Sequence, residues 1–239
     1  MAIELEVDVY SEAPLDALQQ ATLKLFTAHG GRININTPTW IQHHFAMHFS
    51  FEYITMEMPG TGILRSILIA GEKQEILNVF LFPEPALMAP VFTMEFAHYN
   101  NQQDFARIDA WHLLQAGEEA DVLENDFTVA RLDNGLPPTS INHPEWLHNC
   151  RSGHDILEYC EDVREDGAMH QAYLDLFSRT LDHWQTATPV DTPEAVLEHV
   201  QAIGIYKLHQ RENSICQPVL ERIFGDEWTQ YMLCNYFFG

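Results

Sequence analysis

Asp109 stands two residues after Arg107 in the stretch Phe105-Ala106-Arg107-Ile108-Asp109. If this is a strand, alternation puts the guanidinium and the carboxyl on one face. Exposed to water, they would form a surface ion pair of little energetic weight. Inside a cleft, desolvation and a bound ligand would set the carboxyl's protonation and let it pass a proton. Asn78 poses a similar choice. It interrupts the apolar run Ile76-Leu77-Asn78-Val79-Phe80-Leu81-Phe82, and a buried amide that finds no partner costs roughly 1–3 kcal/mol. It is either a satisfied structural amide or a site residue. Histidines offer metal chemistry: His44 and His48 stand four apart beside His43, as a metal-binding pair on a helix would. No third ligand falls at a recognised offset, so no metal is expected. His98 and His112 flank the 104–110 stretch and could assist a proton transfer or wall a pocket. Cys150, Cys160, Cys216 and Cys234 show no CxxC spacing, which reads as reduced thiols rather than a zinc site. Nucleophilic hydrolase motifs, a phosphate-binding Walker loop and a GxGxxG fingerprint are absent.

The elements that must position these groups follow from periodicity. Ser11 to His29 carries Leu15, Leu18, Leu25 and Phe26 at helical spacing, with Pro14 suited to a first turn and Gly30-Gly31 closing the segment. Alternation then predicts strands at 48–58, 63–70, 75–82, 90–99 and 104–110. The turns between them, such as Gly71-Glu72-Lys73 and Asn100-Asn101-Gln102, are too short for crossover helices and predict an antiparallel meander. From Pro144 onward the texture is helical, with helices expected at 156–163, 169–183, 193–211, 219–224 and 227–234. A sheet this apolar needs both faces covered. The expected fold class is therefore α/β, a three-layer α/β/α sandwich with a central antiparallel sheet and a cleft between sheet and helices.

The 239 residues fit a single domain spanning 1–239, and 46% hydrophobic content excludes a disordered chain. Charge excludes more. Twelve Lys and Arg against 35 Asp and Glu leave a formal charge of −23, which argues against nucleic acid and against anionic membrane surfaces. No apolar run is long enough to span a bilayer, and Met1-Ala2-Ile3-Glu4-Leu5-Glu6 lacks the layout of a signal peptide. A cytoplasmic monomer is expected.

Two blocks of sequence resemble the ferredoxin-dependent bilin reductases. The first runs through Ile76-Leu77-Asn78, Phe82-Pro83-Glu84-Pro85, Ala89-Pro90-Val91-Phe92 and Ile108-Asp109. The second holds Asn213, Val219-Leu220-Glu221-Arg222-Ile223-Phe224-Gly225-Asp226-Glu227-Trp228, Tyr231-Met232 and Phe237-Phe238. The resemblance implies an α/β/α sandwich that holds biliverdin, an open-chain tetrapyrrole, between the sheet and the C-terminal helices. It implies no bound cofactor, with reduced ferredoxin supplying single electrons and protein groups supplying protons. Asp109 matches the family's central aspartate, the implied proton donor, and Asn213 matches a position across the pocket.

Asn78 falls where the phycocyanobilin-forming branch has a catalytic histidine, and Ala70 is the nearest counterpart of that branch's glutamate. A phycoerythrobilin-like or dihydrobiliverdin product is therefore expected. Arg65, Arg107, Lys207 and Arg211 are candidates for the substrate propionates, with His98 a further candidate lining residue. Alternatives are a reductase of another linear tetrapyrrole, resembling red chlorophyll catabolite reductase, and a non-catalytic bilin- or heme-binding protein.

Overall fold

The computed structural model describes residues 13–33, 43–46, 49–100, 103–113, 118–138, 147 and 151–239. Helix α1 (Pro14–Ala28) opens on the expected proline, and the first-turn N–H of Leu15 donates to Glu75 Oε1 at 2.7 Å. An otherwise orphaned helix donor is thereby satisfied by a strand carboxyl. Strands β1 (Arg32–Ile33), β2 (His43–Ala46), β3 (Phe49–Met58), β4 (Gly62–Gly71), β5 (Gln74–Pro83), β6 (Val91–Tyr99) and β7 (Asp104–Trp111) follow. Then come helix α2 (Glu118–Asp133), strand β8 (Ile156–Cys160) and helices α3 (Gly167–Thr186), α4 (Pro193–Glu212), α5 (Gln217–Phe224) and α6 (Asp226–Met232). A π-helical turn, Leu233–Phe237, continues α6.

The strands form one antiparallel sheet in the order β1-β3-β4-β5-β6-β7-β8, with β2 also paired to β3. The meander β3 to β7 matches the alternation of the sequence to within a residue or two at each end. The expected helix at 156–163 does not form: Ile156–Cys160 is an edge strand paired to β7. Helix α2 and strands β1 and β2 are additions that periodicity missed. The suggested helical pair of His44 and His48 fails on the backbone, since residues 43–46 are strand. His48, Cys150 and the turn residues Asn101 and Gln102 lie outside the described residues.

Period-two alternation sends each strand's side chains into two separate cores. Leu77, Val79 and Leu81 of β5, with Phe92, Met94 and Phe96 of β6, pack under α1, α2 and α3. Ile76, Phe80 and Phe82 of β5, with Val91 and Ala97 of β6, pack under α4, α5, α6 and the π-turn. Three layers result, α/β/α. Buried polar side chains occur on both faces, Gln19, Ser66, Glu75, His98 and Asp104 on the first and Asn78, Thr93, Glu95, Arg107 and Asp109 on the second.

Candidate active site

On the sheet face toward α4–α6, register aligns the polar groups. Asn78 of β5 pairs with Glu95 of β6, and Glu95 pairs with Arg107 of β7. One step along the strands, Thr93 pairs with Asp109. All five are buried, Asn78, Thr93 and Arg107 at 0% exposure. Arg107 joins the two acids, with Nη1 donating to Glu95 Oε2 at 2.9 Å and Nη2 to Asp109 Oδ2 at 3.0 Å. The Ser152 N–H donates to Asp109 Oδ2 at 3.1 Å, and the Ser152 hydroxyl donates to Asp109 Oδ1. The surface ion-pair reading of Arg107 and Asp109 is thus excluded.

Electrostatics follow from this burial. Desolvation raises the Glu95 carboxyl above its ordinary range, and Arg107 only partly opposes it. Burial also disfavours the Arg107 cation, but Glu95 and Asp109 together outweigh it and hold the guanidinium protonated. Two carboxyls around one cation reach neutrality by keeping one proton, and a low-dielectric setting favours that state. The row can therefore store a proton.

Its hydrogen-bonding capacity is not used up. Asn78 Nδ2 donates to Cys216 Sγ at 3.2 Å, at the start of α5. Asn78 Oδ1, Thr93 Oγ1 and Gln210 Nε2 are buried without a partner among the described residues. Gln210 lies one turn beyond Tyr206 on α4, and Tyr206 packs edge-on to Trp111 of β7. An acceptor, a hydroxyl and a donor are thereby open on the two sides of one sheet–helix interface. Leaving buried polar groups unmatched costs free energy that a polar ligand or water would recover. The Cys216 thiol, pushed up by burial and then by Glu95, stays protonated.

The other sequence candidates separate into groups. Arg65 and Lys207 meet at the Phe82 ring, 5.8 and 4.6 Å from its centroid. Arg65 Nη1 donates to the Phe237 and Gly239 carbonyls, and Lys207 Nζ donates to the Gly239 carbonyl at 3.0 Å. Burial and the neighbouring Arg65 bring Lys207 down to about 8. Arg211 reaches Cys234 Sγ at 3.5 Å. Asn213 caps the end of α4, and its amide donates back to the His209 carbonyl at 2.8 Å.

His98 does not join the row. It belongs to the even-numbered, α1/α3-facing side of β6, where Nδ1 lies 2.9 Å from Asp104 Oδ2. Alternation explains this, since His98 and Glu95 are an odd number of residues apart. His98, Asp104 and Asp162 bring ligand-type atoms together. Both Asp162 oxygens, however, accept from Arg164, and Asp104 accepts from the Tyr99 and Val163 N–H groups. His112 is held near 4 by burial and then by His183, His199 and His154, so it is neutral at ordinary pH.

Two groups of this polar cluster escaped the sequence reading. Glu95 is a charged residue between Met94 and Phe96 in an apolar strand, the same signal that singled out Asn78. Ser152 sits in a loop, where no periodicity announces it.

No protein-family model matches the chain. It is 28% identical to phycocyanobilin:ferredoxin oxidoreductase of Trichodesmium erythraeum over 70% of this chain and 67% of that protein. It is 27% identical to the protein of the same name from a Synechococcus strain, over 68% of this chain and 64% of that one. The matches thus span about two thirds of these relatives' lengths. The fold is that of tomato phytochromobilin synthase, solved in complex with biliverdin, with a TM-score of 0.79 and 14% identity over 94% of this chain and 82% of that chain. In sequence the chain is thus similar to phycocyanobilin:ferredoxin oxidoreductases, and in fold to phytochromobilin synthase.

Proposed function

We propose that the chain reduces biliverdin IXα, or a closely related linear tetrapyrrole, with single electrons from a ferredoxin-type donor and protons from its own sheet. The observation that carries this reading is the buried row Asn78–Glu95–Arg107 with Thr93 and Asp109 beside it, in an otherwise apolar interface. Such a row suits a long, flat pigment with a polar pyrrole edge. Asn78, Thr93 and Gln210 offer open hydrogen-bonding atoms for that edge. Arg65, Lys207 and Arg211 are the cations on the same side for its propionates, the first two exchanging backbone carbonyls for carboxylates.

The chemistry alternates charge. Each electron makes the bound pigment more basic, and a proton from the Glu95/Asp109 unit neutralises it; Arg107 keeps the unit in place. Asp109 is the assigned donor, with Glu95 sharing its proton reserve through Arg107. Asn213 ends α4, its amide bound to the His209 carbonyl. The Asn78 amide, unlike an imidazole, holds no exchangeable positive charge, which supports a phycoerythrobilin-like or dihydrobiliverdin product.

The deciding experiment mixes the protein with biliverdin, records a stoichiometric complex, then adds reduced ferredoxin without oxygen and identifies the product by chromatography. Asp109→Asn is expected to bind pigment and accept the first electron but accumulate a radical. Normal turnover of that variant would reassign the donor, and phycocyanobilin as product would refute the predicted regiochemistry. Binding with no spectral progress in the unmodified protein would mark a carrier.

A further inference from the structure

Asn78 is half satisfied, and the unsatisfied half is the informative one. Its backbone is locked in the sheet, paired to Ile67 of β4 on one side and to Glu95 of β6 on the other. Its Nδ2 donates to Cys216 Sγ at 3.2 Å, and both side chains are buried at 0% exposure. Cys216 is equally fixed, because its carbonyl accepts the Val219 and Leu220 N–H groups at 3.1 and 2.9 Å where α5 begins. Burial keeps the thiol protonated, so the sulfur meets the amide as a neutral, weak acceptor. With its nitrogen held this way, Asn78 points Oδ1 away from the sulfur, and that oxygen is buried without a partner among the described residues. A purely structural amide would have both ends bound, since an unmatched buried carbonyl costs free energy.

On the reductase reading given above, we propose that Cys216 is a positioning residue: its sulfur holds the Asn78 amide nitrogen so that the Asn78 carbonyl faces the pigment and accepts one of its pyrrole N–H groups. An open-chain tetrapyrrole carries both kinds of partner along its polar edge, N–H donors on some rings and carbonyl or imine acceptors on others. A carbonyl facing that edge takes a donor and has no hydrogen to give. Turned over, the same amide would present its N–H bonds and select an acceptor instead. The direction in which Asn78 points therefore decides which ring rests over β5 and, by the length of the pigment, which ring rests over Asp109. Thr93 Oγ1, also unpartnered, both donates and accepts, so it enforces neither arrangement. Cys216 touches no reacting atom in this scheme and acts only through Asn78.

The test compares the ratio of reduction products formed from biliverdin and reduced ferredoxin by the unmodified protein, Cys216→Ala and Cys216→Val. Both variants remove the acceptor, while one leaves the side chain smaller and the other larger, so packing alone would not move the ratio the same way in both. Each is expected to change the product ratio about fivefold in the same direction, the weight of one neutral hydrogen bond, and to shift the visible band of the bound pigment. In an Asn78→Leu background the same two substitutions should change neither. A wild-type ratio in both variants, changes in opposite directions, or an undiminished effect in the Asn78→Leu background overturns the assignment. A pigment-free arm separates it from the reductase reading. The side-chain amide resonances of Asn78, identified in nitrogen–proton spectra by their loss in Asn78→Leu, should move in both Cys216 variants. Unmoved resonances overturn the assignment even if the protein binds no bilin, whereas moved resonances in a protein that binds no bilin sink only the reductase reading.

Discussion

Glu95 and Asp109 share one guanidinium, and the consequences of removing any member differ in kind. Arg107→Ala would leave two buried carboxyls facing each other's charge, and losing one partner of a buried ion pair costs about 3–5 kcal/mol. Chemical denaturation should show that loss, with Asp109→Asn in the same background recovering part of it. Glu95 gives a pH signature. Its carboxyl is raised in the fold, so over the window from its ordinary value of 4.5 upward the native state binds more protons than the unfolded chain. Stability must therefore fall as pH rises through that window. Glu95→Gln should flatten that limb of a denaturation-versus-pH curve, and it should also slow pigment reduction while sparing pigment binding. A steeper limb in the variant would mean that Glu95 enters the fold ionised and that the proton sits elsewhere.

Elements place these residues by register, and register has its own weak points. Gly62 opens β4 where a Cβ would lie 2.5 Å from the Trp184 ring of α3 and 2.6 Å from the Phe82 carbonyl. The indole is itself fixed, its N–H donating to the Pro90 carbonyl at 2.8 Å. Gly62→Ala should cost about 1–3 kcal/mol by overpacking, read as a lowered denaturation midpoint, while the same change at Gly60, whose φ is +73°, would act by backbone strain instead. How far all this was legible depends on the element. The meander β3–β7 was readable because half of each strand's contacts are set by simple alternation. Residues 156–160 were not: a five-residue edge strand next to Glu161 and Asp162 has too few positions to show a period, and only pairing with β7 decides it. Asn78, Arg107 and Asp109 were visible as polar breaks in apolar strands. That Glu95 bridges them was not, since the register Asn78–Glu95–Arg107 is a property of three strands at once. The residues that grip Asp109 from outside come from a loop, where sequence carries no comparable pattern.

At the scale of the whole molecule the governing quantity is the charge of −23. Among the described residues, most cations are engaged locally. Arg32, Arg107, Arg151, Arg164 and Arg179 are matched to carboxylates, and Arg65 and Lys207 turn inward to the carbonyls of Phe237 and Gly239. An acidic electron donor therefore approaches against a repulsive field, where complementary surfaces would have drawn it in. Salt screens such repulsion over a Debye length of about 10 Å at 0.1 M, so the second-order rate of electron delivery from an acidic ferredoxin should rise with ionic strength. Stopped-flow reduction of the biliverdin complex across a salt series measures it, with a cationic small-molecule reductant as the opposite-sign control. A ferredoxin rate that falls as salt increases would show that a local cluster of cations, not the net charge, steers the encounter. Charge reversal at Arg222, which stands over the Phe49 ring at 5.7 Å on the α5 side, would then be the first place to look. If the proposed reduction takes up one proton with each electron, pH should move the reduction potential of the bound pigment by about 59 mV for each unit, and a potential independent of pH would count against that coupling.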